Sequence, residues 1–281
     1  MLVWAVASQK GGVGKTTTVA SLAGWLQKEN LRVLVVDTDP HASLTSYLGI
    51  EESKSEQNLF DLYAMKNLTR DGVLRCITPT AHQGLDLIAA SMTLATIDRQ
   101  LSGRQGVGRI LSRSLQLISD CYDVVLIDCP PVLGALMVNA LVASSTIIVP
   151  TQTEFLALKG LEGMVRTFTV MQRANQSVHF DYLILPTMYD RRTKASVQSL
   201  SYLQTHYASH VWNESIPVDT YFRESSAKRL PLPLMDATRL GAVAYYNLLR
   251  YLITCEMERH PEKVTPQLQA FMDATAELSH D

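Results

Sequence analysis

The first 28 residues constrain the fold more than any other stretch. Residues 2–7 form a short apolar run. They lead into Gln9-Lys10-Gly11-Gly12-Val13-Gly14-Lys15-Thr16-Thr17, and residues 18–28 carry apolar positions at helical spacing. Strand, glycine turn and helix, in that order, are the context a phosphate-binding loop needs. Glycines let successive backbone N–H groups curl toward one concavity, a nest for an anion. The following helix adds its unpaired N–H groups and the positive end of its dipole. Gly11, Gly12, Val13, Gly14 and Thr17 are then expected around the phosphates. Lys15 would reach the outer phosphates and the Thr16 hydroxyl would ligate Mg²⁺. The alternative, a glycine turn without a ligand, leaves the lysine and hydroxyl in their mechanistic places by coincidence.

A chain of 281 residues can bury a large core as one α/β domain. Hydrophobic residues make up 47% and charged residues 19%, a globular balance and not a disordered one. No window approaches the roughly 20 apolar residues a membrane helix needs. The chain opens directly on a strand pattern, so no signal peptide is expected. Four cysteines, at 76, 121, 129 and 255, form no C-x-x-C pair. That argues for reduced thiols in a cytoplasmic setting and against a metal or iron–sulfur centre. A formal net charge of −2 gives no general attraction to nucleic acid or anionic lipid.

Residues 32–37, Arg-Val-Leu-Val-Val-Asp, are β-branched without alternation, which predicts a strand buried on both faces of a parallel sheet. It ends in Asp37-Thr38-Asp39-Pro40, and acids at a strand's carboxyl end beside a phosphate loop sit at the ligand edge of an open α/β sheet. Asp37 reads equally well as a cap for the next helix. Residues 51–58 read as a loop, 59–65 and 72–77 as short helices, and 85–89 as a strand followed by a helix cap at Ser91. Residues 102–108 are expected to link two helices, and Leu111, Leu115 and Ile118 to share a helical face. Residues 123–131, Asp-Val-Val-Leu-Ile-Asp-Cys-Pro-Pro, read as a strand ending in Asp128, placed to hold a Mg²⁺ hydration shell. Residues 146–150 and 182–185 are further expected strands, and 216–219 reads as a strand end with a following loop. A helix running through Leu156, Leu161 and Met164 and others over 196–207 and 238–253 lie between and after them. About seven strands alternating with helices predict a doubly wound, mostly parallel sheet with helices on both faces, and the phosphate-loop pattern after the first strand makes that the P-loop NTPase fold.

The stretch Lys10-Gly11-Gly12-Val13-Gly14-Lys15-Thr16-Thr17, with Gln9 where the strict pattern has glycine, resembles the deviant Walker A loop of the ParA/MinD ATPase family. Residues 37–40 and 123–131 are the next best pieces, and the likeness runs from residue 1 to about 254. The chain is similar in particular to the ParA-like ATPases of chemotaxis gene clusters, the ParC branch. Asp39-Pro40-His41 and the stretches 137–141, 153–162 and 189–193 carry that likeness. The resemblance implies a homodimer that sandwiches two ATP molecules. Lys10 would cross to the partner's phosphates, and Asp39 would position the attacking water. It places Pro217 and the segment around Asp190 near adenine. The family usually has threonine after the Walker B acid; Cys129 stands there in this chain and reads as packing.

Three cell-biological roles follow from that resemblance. One is a positioning ATPase whose cargo is a chemotaxis array at the cell pole, working with chemotaxis or polar-landmark proteins. Another is a partition ATPase coating DNA without sequence preference, which needs a basic stripe. Partition members often carry Pro-Arg-x-x-Arg after the late strand, where this chain has Pro217-Val218-Asp219-Thr220-Tyr221, so DNA binding is expected to be weak or absent. The third is a membrane-cycling ATPase, which needs a basic amphipathic tail. Residues 256–281 instead carry six acidic against two basic side chains. Residues 255–281 are therefore expected to be an acidic tail or helix packed on a 1–254 ATPase domain through Leu268, Phe271, Met272 and Leu278, without membrane insertion.

Overall fold

The structure is a computed structural model that describes residues 1–51, 57–97, 100, 107–174 and 179–277. Among them are seven strands: β1 (Leu2–Val6), β2 (Val33–Asp37), β3 (Ile77–Pro79), β4 (Leu85–Ile88), β5 (Val124–Asp128), β6 (Thr146–Gln152) and β7 (Asp181–Thr187). The helices in chain order are α1 (Lys15–Lys28), α2 (Ser43–Tyr47), α3 (Leu59–Ala64), α4 (Arg70–Arg75), α5 (Ile110–Leu117), α6 (Ala135–Ala143), α7 (Phe155–Ala174), α8 (Lys194–His206), α9 (Tyr221–Ala227), α10 (Leu232–Met235), α11 (Leu240–Arg259) and α12 (Pro266–Glu277). Short 3-10 turns lie at Met92–Thr96, Val107–Arg109 and Pro261–Lys263.

The strands form one sheet in the order β3-β4-β2-β5-β1-β6-β7. All neighbours run parallel except β3, which pairs antiparallel with β4 at the edge. The uniform apolar runs of the strands follow from helices on both faces. In β2, Leu34 and Val36 point into one layer and Val33 and Val35 into the other, all fully buried. The first layer packs against α3 to α8 through Leu59, Leu111, Met137, Leu161 and Phe168. The second packs against α1, α11 and α12 through Leu22, Leu26, Tyr245, Leu248, Leu268 and Phe271. Each such side chain withdrawn from water contributes about 1.5–3 kcal/mol, so two layers supply the core that the length allowed.

The expected count of seven strands is met with one change of membership. Residues 216–219 are not a strand. Ile216 N donates to the Pro186 carbonyl (2.9 Å) and Val218 N to the Tyr189 carbonyl (3.2 Å). Pro217 lies between them without an N–H, so only an isolated parallel bridge to Tyr189 remains. The missing member is β3, which begins at the end of the segment 72–77 expected as helix; α4 stops at Arg75 and the chain turns to pair with β4.

Smaller shifts have local causes. Ser91 is extended and precedes the 3-10 turn, but its hydroxyl meets Thr93 Oγ1 (2.5 Å) and caps no backbone N–H. Leu111, Leu115 and Ile118 are buried together, as their spacing predicts. On α7, Leu161 and Met164 are buried but Leu156 is 69% exposed. The α11 helix continues to Arg259, past the expected end at 253, because no breaker occurs before Pro261. It runs unbroken through residues 254 and 255. Most of the expected linker 102–108, and Leu278, lie outside the described residues. None of the described helices is long and apolar enough to cross a membrane.

Candidate functional site

β1 delivers the chain to the carboxyl edge of the sheet, where residues 8–14 turn back into α1. Gly12 (φ 74°) and Gly14 (φ 96°) occupy the left-handed region, where a side chain would be strained. Gly14 is the N-cap of α1 and offers no side chain to its first turn. The first N–H groups of this 14-residue helix are thus left without a side-chain cap, as an anion site requires. Lys15 is buried at 8% exposure and its Nζ donates to the Lys10 carbonyl (3.3 Å). Val13 is tied down from across the sheet, because Thr187 Oγ1 donates to its carbonyl (3.0 Å).

Two acids meet beside the loop because β2 and β5 are neighbours in register, with Asp37 opposite Asp128. Asp128 is buried, and the Thr16 hydroxyl donates to its Oδ2 (2.7 Å). Its Oδ1 is buried without a hydrogen-bond partner among the described residues. Burial, and then the neighbouring Asp37 charge, push the Asp128 carboxyl well above the usual range. An orphaned carboxylate oxygen beside a shareable hydroxyl fits a hydrated divalent cation, which would meet that oxygen's need and hold the acid ionised. Thr16 and Asp128 are the residues that would hold it.

Asp37 is fully buried and its Oδ2 accepts from Thr45 N (2.9 Å) and Thr45 Oγ1 (2.8 Å). Burial raises its carboxyl to about 6 in spite of those bonds. Of its two sequence readings, the helix-cap one describes what it touches. Asp39 stands further out, with Oδ1 accepting from His41 N (3.0 Å) and His41 Nδ1 (2.9 Å). Its Oδ2 has no partner among the described residues and remains available to a water. Cys129 is buried, and burial pushes its thiol far up, which suits a packed, unreactive residue.

A cavity of about 570 Å³ opens from the loop, lined by Val13, Gly14, Thr16, Thr17 and Pro217 among the expected residues. Its other walls include Tyr47, Gln152, Met188, Phe222 and Arg223. Asp190 does not line it: its carboxylate accepts from Arg192 N, Nε and Nη2, all within 2.9 Å. Met188, with φ 53°, is a non-glycine residue held in the left-handed region at the cavity wall. No local pattern marks Met188 or Phe222, since their roles arise where β7 and α9 meet the loop. Gln152 was within reach of inference, at the carboxyl end of a buried strand.

Known proteins resemble this chain over most of its length. The family described as an AAA domain matches residues 1–180. The sporulation initiation inhibitor protein Soj of Bacillus subtilis is 35% identical over 248 residues, 88% of this chain and 96% of that protein. The chromosome partitioning protein ParA of Caulobacter vibrioides is 35% identical over 260 residues, 92% of this chain and 96% of that protein. A crystal structure of cobyrinic acid a,c-diamide synthase from Mycobacterium smegmatis with bound ATP analog and magnesium superposes with a TM-score of 0.77 at 32% identity, covering 94% of this chain and 98% of that one. With a phosphate loop, a paired threonine and acid beside it, and full-length likeness to Soj and ParA, this chain belongs to the ParA/Soj family of P-loop ATPases.

Proposed function

We propose that this protein is a Mg²⁺-ATP-dependent, dimerising ATPase switch that positions cellular cargo. The observation that carries the reading is the junction of Thr16 with Asp128, its buried Oδ1 unpartnered among the described residues, at the edge of the phosphate loop. In this reading the loop backbone from Gly11 to Thr17 and Lys15 bind the phosphates of ATP. Thr16 and Asp128 would hold Mg²⁺, in part through water, and the ion would neutralise charge on the outer phosphates. Asp39 orients the attacking water through its free oxygen, and Pro217 lines the base end. Lys10, the second lysine of a deviant Walker A loop, reaches the phosphates of a second copy. Two facing polyanions repel unless cations stand between them, so the nucleotide becomes the glue of the dimer and its slow, partner-stimulated hydrolysis the release. The 254/255 boundary falls inside α11, so in this reading the ATPase domain runs to Arg259 and α12 packs on it as a tail, in a cytoplasmic protein.

The sequence pieces shared with the chemotaxis branch support a chemotaxis array at the cell pole as cargo. A partition role on DNA is the second reading, favoured by the likeness to Soj and ParA. Light scattering with a non-cleavable ATP analogue and Mg²⁺ tests the switch. The chain is expected to become a dimer, Lys10→Ala to stay monomeric, and Asp39→Ala to dimerise and release little phosphate. A monomeric wild type under saturating analogue refutes the switch. Fluorescent tagging in the native cell separates the cargo readings: polar foci for the first, nucleoid haze for the second.

A further inference from the structure

Both lysines of the phosphate loop rest on acceptors inside this chain. Lys15 Nζ donates to the Lys10 carbonyl (3.3 Å). Lys10 Nζ donates to Gln152 Oε1 (3.3 Å) and is ion-paired with the Glu154 carboxylate. Glu154 lies 144 residues further along, in the turn between β6 and α7. Gln152 belongs to the wall of the cavity that opens from the loop. Phe155 and Leu156, which follow, are 68% and 69% exposed.

Lys10 Nζ has three N–H donors and this chain engages two of them, so turning to a second copy's phosphates means giving those contacts up. We propose that Glu154, aided by Gln152, is a positioning residue that holds Lys10 in the free chain and sets the threshold at which a second copy is joined. This rests on the dimer reading above. The sequence of events follows from the contacts. Phosphate entering the loop draws Lys15 off the Lys10 carbonyl and frees the peptide that carries Lys10. A triphosphate then outcompetes a single carboxylate for the ammonium, because it carries more charge and more acceptor oxygens.

The strength of the pair suits a threshold and not a block. The side chains of Lys10 and Glu154 are 31% and 44% exposed, so water and salt screen them. An exposed pair of this kind favours its bound arrangement by about fivefold or less. Two such pairs open per dimer, so the apparent dissociation constant is raised by up to about 25-fold. A buried pair would hold too tightly to release on nucleotide binding alone.

Glu154→Gln keeps the shape and removes the charge, at a solvent-accessible position where folding is not at stake. Two measurements on the full chain test the proposal. In nucleotide-free protein, the rate of acetylation of Lys10 by acetic anhydride is followed by mass spectrometry, with exposed Lys66 as internal reference. Glu154→Gln is expected to raise that rate by about two- to fivefold. With a non-cleavable ATP analogue and Mg²⁺, the protein concentration at half-dimerisation is expected to fall by about 5- to 25-fold. Glu154→Asp, which restores the charge, is expected to return both values toward wild type. Unchanged Lys10 labelling overturns the in-chain hold. A midpoint that stays or rises in Glu154→Gln overturns the threshold and assigns Glu154 to the dimer instead. A wild type that never dimerises, with labelling still responsive to Glu154→Gln, defeats the dimer reading and the threshold with it while leaving the Lys10–Glu154 contact established.

Discussion

Arg32 and Asp123 stand just before β2 and β5, and one ion pair ties the two strand starts together. Arg32 Nη2 donates to Asp123 Oδ1 (2.9 Å), and Arg32 Nε (3.2 Å) and N (2.9 Å) donate to Oδ2. Burial alone would raise the Asp123 carboxyl, but these bonds outweigh it and hold the acid below its ordinary value. A carboxyl with a depressed folded-state pKa stabilises the fold above its unfolded value of about 3.9, and that contribution is lost as pH falls through the folded value. Arg32→Met is therefore expected to cost about 1–3 kcal/mol at pH 7 in urea unfolding. The gap to wild type should close as pH drops below about 4; an equal gap well below the folded value would show that charge pairing is not its cause. Sequence patterns do not reveal such pairs. Asp190 illustrates the same limit at the site: its position at the end of β7 was legible, but its capture by Arg192 depends on how the loop folds back.

The α1 helix packs against the Pro231-Leu232-Pro233 corner at one glycine. A Cβ on Gly24 would lie 2.7 Å from Pro231 Cβ and 3.3 Å from Pro233 Cδ. Alanine in mid-helix is favoured over glycine by up to about 1 kcal/mol. Forcing a methyl group against a proline ring costs about 1–3 kcal/mol, because the ring cannot rotate away. Gly24→Ala is expected to lower the melting temperature, and a stabilised variant would show that helix and corner separate freely. Elements with uniform patterns, β2 and β5 above all, were legible because burial on both faces leaves no polar position before the terminal acid. β3 was not: three residues at an edge carry almost no pattern, and their identity as a strand depends on β4 lying beside them. In residues 216–219 only Ile216 and Val218 favour a strand, and Pro217 cannot extend a ladder along β7.

Across the whole molecule, the loop, β6, β7 and α9 meet only when the sheet is formed, so a ligand seated there should stabilise every layer at once. A ligand at 100 times its dissociation constant adds about 2.7 kcal/mol, or roughly 5–10 °C in melting temperature for a domain approaching this size. Mg²⁺-ATP is expected to produce that shift in the wild type and not in Lys15→Ala, as read by differential scanning fluorimetry; an equal shift in both would place the nucleotide elsewhere. The sequence by itself determined the phosphate loop and the parallel, doubly covered sheet, because both follow from local spacing: glycines that permit the turn, and apolar runs that exclude water on two faces. Local spacing also singled out Thr16 and Asp128, but only the tertiary structure decided which distant side chains touch. Asp128 reaches Thr16 across 112 residues, and Glu154 reaches Lys10 across 144. Such meetings depend on strand order and register, which no single segment encodes.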